Sequence, residues 1–280
     1  MNKIIACIDG ASYTQSVTDL SIWAASRLSA PLTFLHVLEK PASSDSELSG
    51  SIGLGSREQL MNELVELDEK RAKLALQHGK ALLHECEEMA LSKGVTEISR
   101  LQQHGHLLNA LLAFESTMRV LVMGRSGDAH QNDAKAIGSQ LESVVRRIHN
   151  HILIATGDVT PPDSYLLAFD GSEVSEKLVE KALNTPLLKG MTCHLVMVDN
   201  DAHSEAFNGA AQRLTAQGMD VVQARLSGDP AQALLAYQAQ QNVGLITMGA
   251  YGHTKLRQLF VGSTTTRIVI DSPVPLLLIR

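Results

Sequence analysis

The stretch Val243-Gly244-Leu245-Ile246-Thr247-Met248-Gly249-Ala250-Tyr251-Gly252, followed after nine residues by Gly262-Ser263-Thr264-Thr265-Thr266, decides how the whole chain reads. Val243–Met248 is a short apolar run suited to a buried strand, and Arg267-Ile268-Val269-Ile270 continues at helical spacing until Pro273. The order is therefore strand, glycine-rich turn, loop, helix N-terminus. Glycines let the backbone bend with positive φ and let a ligand approach without meeting a Cβ. Ser263 and Thr264 stand where the helix begins, so hydroxyls and unpaired backbone N–H groups converge. A phosphate is favoured at such a place by the helix dipole. The stretch reads as a nucleotide site.

Working outward, the same unit occurs twice. Ile4-Ile5-Ala6-Cys7-Ile8-Asp9-Gly10 is echoed by Tyr165-Leu166-Leu167-Ala168-Phe169-Asp170-Gly171, and Leu35–Glu39 by Leu195–Asp199. Val120–Gly124 with Gly127 answers Leu245–Gly249 with Gly252; Ile137-Gly138-Ser139 answers Val261-Gly262-Ser263; His151–Ala155 answers Pro275–Ile279. Five anchors in one order define a repeat. The first copy is expected over 1–157, a linker with two prolines over 158–163, and the second copy over 164–280.

In the first copy, strands are expected over Ile4–Ile8, Leu32–Leu38, Thr96–Leu101, Val120–Met123 and Ile152–Ala155. Ser12 or Thr14 is expected to cap the first helix. Glu39–Ser56 reads as a loop, and Glu58–Lys93 as a long helix with Leu60, Leu64, Leu67, Leu74, Leu82 and Met89 on its buried stripe. Helices are also expected over Leu107–Thr117 and Gly138–Ile148. The second copy drops the insertion and keeps one helix between Ala202 and Gln217. Strands alternating with helices imply a parallel sheet covered on both faces. In such sheets the ligand lies beyond the strand C-termini where strand order reverses. The loops carrying Asp170 and Gly249–Thr265 meet there.

Composition limits the function classes. The 280 residues are 44% hydrophobic, with net charge −6 and no basic stripe, which argues against a nucleic-acid-binding face. No apolar run approaches the roughly 18 residues of a membrane span. The N-terminus lacks a signal-peptide pattern, and the three cysteines (Cys7, Cys86, Cys193) form no CxxC pair, so a cytoplasmic location is expected. His104-Gly105-His106 follows the third strand rather than the first, and two histidines are too few for zinc, so it reads as a loop. Gly50-x2-Gly53-x-Gly55 lacks the strand a dinucleotide fingerprint needs, and no Walker P-loop is present. No general base, Ser–His–Asp set or acidic metal pair is legible.

A strand ending in Asp-Gly, followed in the second copy by Ser, together with G-x2-G-x9-G-[ST] before the last helix, resembles the universal stress protein family, here as a UspA-like tandem over the whole chain. The resemblance implies two Rossmann-like (adenine nucleotide alpha hydrolase-like) α/β domains, each an open five-stranded parallel sheet flanked by helices. It implies ATP as cofactor, with Mg as an optional companion. Carried onto this sequence, Asp170 would reach the ribose or adenine with Ala168 beside it, and Met197 would line the base pocket through its backbone. Met248 and Gly249 would approach sugar and phosphates, Gly252 and Gly262 would give backbone contacts, and Ser263, Thr264 and Thr265 would bind phosphate oxygens. The last strands, Ile152–Ala155 and Leu276–Ile279, would pair within the chain as a pseudo-dimer; a homodimer is the further alternative.

The first copy departs from the pattern. Ten residues separate Gly127 from Gly138, and Gln140 and Leu141 stand where the second copy has Thr264 and Thr265. Its site, built on Asp9, Gly124, Gly127, Gly138 and Ser139, is expected to be weak or empty for ATP, with Arg125 a charge whose position the sequence does not give. The expectation is an ATP-binding regulatory protein of the stress response, acting on a protein partner and hydrolysing ATP slowly at most. The alternative is a scaffold without nucleotide, or a binder of another small ligand. An adenylyl transferase or ATP pyrophosphatase would need a phosphate loop that is absent.

Overall fold

The structure, a computed structural model, describes residues 2–39, 54–126, 139–199, 201–249 and 263–280, with 54–61, 139, 201 and 263 described for the backbone alone. The first half runs β1 (Lys3–Cys7), α1 (Thr14–Leu28), β2 (Leu32–Leu38), α2 (Leu54–Ser92), β3 (Ile98–His104), α3 (Leu107–Leu112), β4 (Met118–Gly124), α4 (Ser139–Arg147) and β5 (His151–Ala155). The second runs β6 (Ser164–Ala168), α5 (Glu173–Leu183), β7 (Thr192–Val198), α6 (Ser204–Ala216), β8 (Val221–Leu226), α7 (Pro230–Gln241), β9 (Leu245–Gly249), α8 (Ser263–Asp271) and β10 (Leu276–Ile279). Each half is thus an α/β unit in which strands and helices alternate.

The strands form one ten-stranded sheet in the order β3-β2-β1-β4-β5-β10-β9-β6-β7-β8. Each half is parallel throughout, as strands joined by crossover helices must be. At the middle β5 and β10 run antiparallel, with Leu276 opposite Ile154, Leu277 opposite Leu153 and Leu278 opposite Ile152. The expected intrachain pairing of the two last strands is therefore present, and it covers an edge of each half-sheet that would otherwise offer free N–H and C=O groups.

Because successive side chains of a strand point to opposite faces, each strand feeds two cores. Ile4, Ala6, Leu167, Leu195 and Met197 join the layer beneath α1, α2, α5 and α6. Ile5, Leu121, Leu166, Val196 and Leu278 join the layer beneath α3, α4, α7 and α8. Fully buried Phe34, Leu35 and Ile152 lie at the centre of this packing, each worth about 1.5–3 kcal/mol for leaving water.

Two local expectations are corrected. Neither Ser12 nor Thr14 caps α1: Tyr13 holds the cap position without a side-chain hydrogen bond. The stripe assigned to α2 is largely solvated, with Leu64, Leu67 and Leu74 exposed and Leu82 and Met89 half-buried; Leu60 lies outside the described side chains. Leu83, Cys86 and Ala90 are its buried hydrophobic side chains, since only the C-terminal part of α2 lies over the sheet. Of the loop expected over 39–56, residues 40–53 are outside the described residues and 54–56 already belong to α2.

Candidate functional site

Strand order reverses within the second half where β6 separates β9 from β7, and a cavity of about 350 Å³ opens beyond their C-terminal ends. Its walls come from Ala168, Phe169 and Asp170 after β6; Ser172, Val174 and Ser175 at the start of α5; and Val196 and Val198 of β7. Pro230 and Leu234 of α7, Ile246–Gly249 of β9, and Thr264, Thr265 and Ile268 of α8 complete it. Three helices, α5, α7 and α8, begin at this cavity, so their positive dipole ends face it, with the first N–H groups of α7 already taken by Asp229 and Ser175 N of α5 by Ser172. The deeper wall is apolar, made by Val196, Val198, Leu234 and Ile246.

Asp170 is held by a short local turn in which Ser172 N donates to its Oδ1 at 3.0 Å. Burial pushes its pKa up, but hydrogen bonds from Ser172 and Ser175 outweigh that and hold the carboxyl below its ordinary value. Gly171 must take φ +77°, and the His203 side chain would meet any Cβ placed there, at 2.3 Å from Cγ. Ser172 then caps α5, accepting from Ser175 N at 3.2 Å. Opposite, Asp229 caps α7 by accepting from Gln232 N at 3.0 Å and binds Arg267 Nη1 of α8 at 2.9 and 3.0 Å through its two oxygens. That pair ties the N-terminal cap of α7 to the second turn of α8, two of the helices that face the cavity.

Ala168, Asp170, Met248, Gly249, Thr264 and Thr265, all singled out from sequence, come together on these walls. Met197, expected to contribute through its backbone, sends its buried side chain into the opposite core layer, while its neighbours Val196 and Val198 line the cavity. Ser263 is described for its backbone alone, as the first residue of α8, and Gly252 and Gly262 lie outside the described residues. Sequence reading missed Val196, Val198, Pro230 and Leu234. Strand alternation around Met197 would have found the two valines, whereas α7 reaches the site only through tertiary packing.

The corresponding place in the first half is built differently. Asp9 repeats the turn, accepting from Ala11 N at 2.9 Å, and Gly10 repeats the φ at +78°. Tyr13, which answers Val174, crowds Gly124: a Cβ there would lie 2.9 Å from Tyr13 Cβ. Arg125 lies over the Tyr13 ring at 5.7 Å and donates to its hydroxyl at 2.9 Å. The same guanidinium crosses to the second half and donates to the backbone carbonyls of Ile270 and, at 3.4 Å, Ser272, at the C-terminal end of α8. A cation is well placed there, because the last carbonyls of a helix lack intrahelical partners and carry partial negative charge. Ser139 is described for its backbone alone, and Gly127 and Gly138 lie outside the described residues.

His104 and His106 are exposed, one ending β3 and the other preceding α3, and among the described residues no group of three or more His, Cys, Asp or Glu side chains could hold a metal. All three cysteines are free, and burial pushes the thiols of Cys7 and Cys193 up to about 12, which keeps them protonated at neutral pH. Among the described residues no helix is long and apolar enough to cross a membrane.

Two doubly wound α/β units sharing one sheet, with a cavity at the strand reversal of one of them, define a tandem Rossmann-like protein. The sequence profile described as the Universal stress protein family matches residues 1–155 and again 164–280. The chain belongs to that family, as a tandem member. It is 29% identical to Universal stress protein Slr1230 of Synechocystis sp., over all of both chains. A universal stress protein of Archaeoglobus fulgidus has the same fold, with a TM-score of 0.71 at 18% identity, over 100% of this chain and 98% of that one. A putative universal stress protein of Pseudomonas aeruginosa gives 0.62 at 12% identity, over 100% and 93%.

Proposed function

We propose that the cavity of the second half binds an adenine nucleotide, ATP in the first instance, and that the protein works as a nucleotide-dependent regulator rather than as an enzyme. The observation that carries this reading is the convergence of three helix N-termini and the Thr264 and Thr265 hydroxyls on a cavity whose deeper wall is apolar. The donors suit phosphate oxygens, and the Val196, Val198, Leu234 and Ile246 surface suits a flat base. Asp170 is an exposed residue of the cavity wall, a carboxylate suited to accept from ribose hydroxyls. Mg, if it accompanies the nucleotide, would be held mainly by phosphate oxygens and water. Family membership adds the stress response as setting.

The first half is read as the degenerate partner. Tyr13 and Arg125 fill space beside Gly124, and Arg125 is committed to α8. The site-forming half thus rests its last helix on a residue of the other.

The test is to denature freshly purified protein and count released nucleotide by absorbance and mass spectrometry. About one adenine nucleotide per chain is expected. Ala168→Trp, which fills the cavity from β6, should abolish this and the rise in melting temperature caused by added ATP. Two nucleotides per chain would contradict the reading of the first half. None, with no thermal shift on adding ATP, would overturn the proposal and favour a scaffold.

A further inference from the structure

A second cavity, of about 250 Å³, lies at the junction of the two halves, where β4 and β5 begin. It shares no wall residue with the cavity at the strand reversal. Leu28 of α1, Arg119 of β4, and His149 and His151 around the start of β5 line it from the first half. Thr185 and Leu187, which follow α5, line it from the second. The cavity thus needs both copies of the repeat.

Its charges are one-sided. Arg119 is half-buried and makes no hydrogen bond or ion pair with any described residue. Burial, and then the charges of Lys181 on α5 and of Arg119, hold the pKa of His151 below 6.5, so two cations stand close to a neutral ring. The Nδ1 of that ring accepts from Arg280 N at 3.1 Å, which leaves its proton on Nε2 as a donor. Glu115, the carboxylate next to His149, is already engaged: His149 N donates to its Oε1 at 3.0 Å, and His149 Nδ1 lies 2.8 Å from the same oxygen. The C-terminal ends of α1 and α5 bring partial negative charge to this region. Their last carbonyls are occupied, however. Ala30 N donates to Ala25 O at 3.2 Å, and Thr185 donates from N to Ala182 O at 3.2 Å and from Oγ1 to Lys181 O at 2.7 Å. Arg119 therefore keeps a full positive charge with no carboxylate on it, beside a second cation, in a recess. The group that completes such a set is an anion, and the guanidinium fork matches an oxyanion best.

We propose that the junction cavity binds a small oxyanion of the phosphate class, either free phosphate or the phosphate group of a small monoester. Arg119 and Lys181 supply the charge, and the Nε2–H of His151 supplies a neutral donor.

The test follows the imidazole signals of the full chain by NMR at about pH 7.5, where His151 is neutral, with His151→Gln identifying the signals of that residue. Inorganic phosphate should move them saturably, and chloride at the same ionic strength should not. Arg119→Gln and Lys181→Gln should each raise the phosphate Kd about tenfold or more. Arg119→Gln removes an unpaired charge and should melt no lower than the native chain; Lys181→Gln carries the same test should that variant fold poorly. Ala168→Trp, which fills the other cavity, should leave the titration unchanged. Glycerol phosphate separates the two sources: tighter binding than inorganic phosphate assigns the monoester, and weaker binding assigns the free ion. A native chain whose signals show no saturable change overturns the proposal, as does an unchanged Kd in the two charge variants. Loss of the effect in Ala168→Trp also overturns it, by moving the anion to the cavity at the strand reversal.

Discussion

The guanidinium of Arg125 joins Tyr13 at the start of α1 to Ile270 and Ser272 at the end of α8, which lie 145 and 147 residues beyond the arginine. It is buried, with 9% exposure, so its carbonyl partners have little water to turn to. Arg125→Met keeps the packed stem and removes the donors. The expected cost is about 2–3 kcal/mol, that of leaving buried acceptors unmatched. It should be read as a lower urea midpoint at unchanged slope; a change within about 0.5 kcal/mol would place the residue among ordinary surface sites. Among the residues expected to make the fold sensitive to acid is His36. Burial, and then the nearby His78, hold its pKa below 6.5, and its Nδ1 lies 3.3 Å from Gln102 Nε2, a bond the neutral ring accepts. Folding therefore favours the neutral form, and its stability is present above the unfolded-state pKa and lost as pH falls towards and through the folded-state value. Burial depresses His151 and His194 in the same direction. The melting temperature should fall between about pH 7 and pH 5, and His36→Gln should flatten part of that slope. An unchanged pH profile in the variant would refute the assignment.

Among the elements, α2 shows where sequence patterning reaches its limit. Its helical period is plain from Leu60 to Met89, but period alone does not say how much of a helix meets the sheet. The seam it marks runs largely into solvent, and the contact face, Leu83, Cys86 and Ala90, is one short stretch of small and medium side chains. Gly79 marks where α2 comes down on the strands: a Cβ there would lie 2.2 Å from Gln102 Nε2 and 2.5 Å from His36 Nδ1. Alanine normally gains about 1 kcal/mol over glycine inside a helix. Here the clash with a buried imidazole should win, for a net loss of about 1–2 kcal/mol, measurable as a lower urea midpoint. A stabilised Gly79→Ala protein would mean that α2 can lift without cost. The strands were more legible because each is a short apolar run between turn residues, and Leu32–Leu38 has the expected bounds. Asp9 and Asp170 were legible as turn formers for the same local reason. The roles of Tyr13, Arg125 and Leu234 depend on which segments meet in space, and no local spacing encodes that.

For the molecule as a whole, the consequential contact is the antiparallel seam of β5 and β10, because it turns two repeated units into one sheet and joins their cores. Leu153, Ala155, Leu277 and Ile279 belong to a single buried layer that reaches from Ile4 in the first half to Leu214 in the second. Other ties between the halves reinforce it: Arg27 Nε donates to Leu187 O at 2.9 Å, and Arg280 donates to Val145 O. Unfolding of the full chain should then be a single cooperative transition by calorimetry and by intrinsic fluorescence alike. Cutting the repeat apart should reveal what the seam protects. A fragment of residues 164–280 retains the described walls of the cavity, but it bares the β10 edge and the apolar faces of Leu276 and Leu278. An exposed apolar edge strand of this kind pairs with another edge, and the edge most complementary to an antiparallel partner is a second β10. The fragment should therefore run as a dimer in light scattering. Leu277→Pro, which removes a ladder donor from the middle of β10, should convert it to a monomer or precipitate it. Soluble monomeric native fragment would mean that the two halves are stable alone and that the shared sheet is a convenience of packing. A dimer would show what the second copy supplies: the first half is the permanent partner that the second half would otherwise have to find.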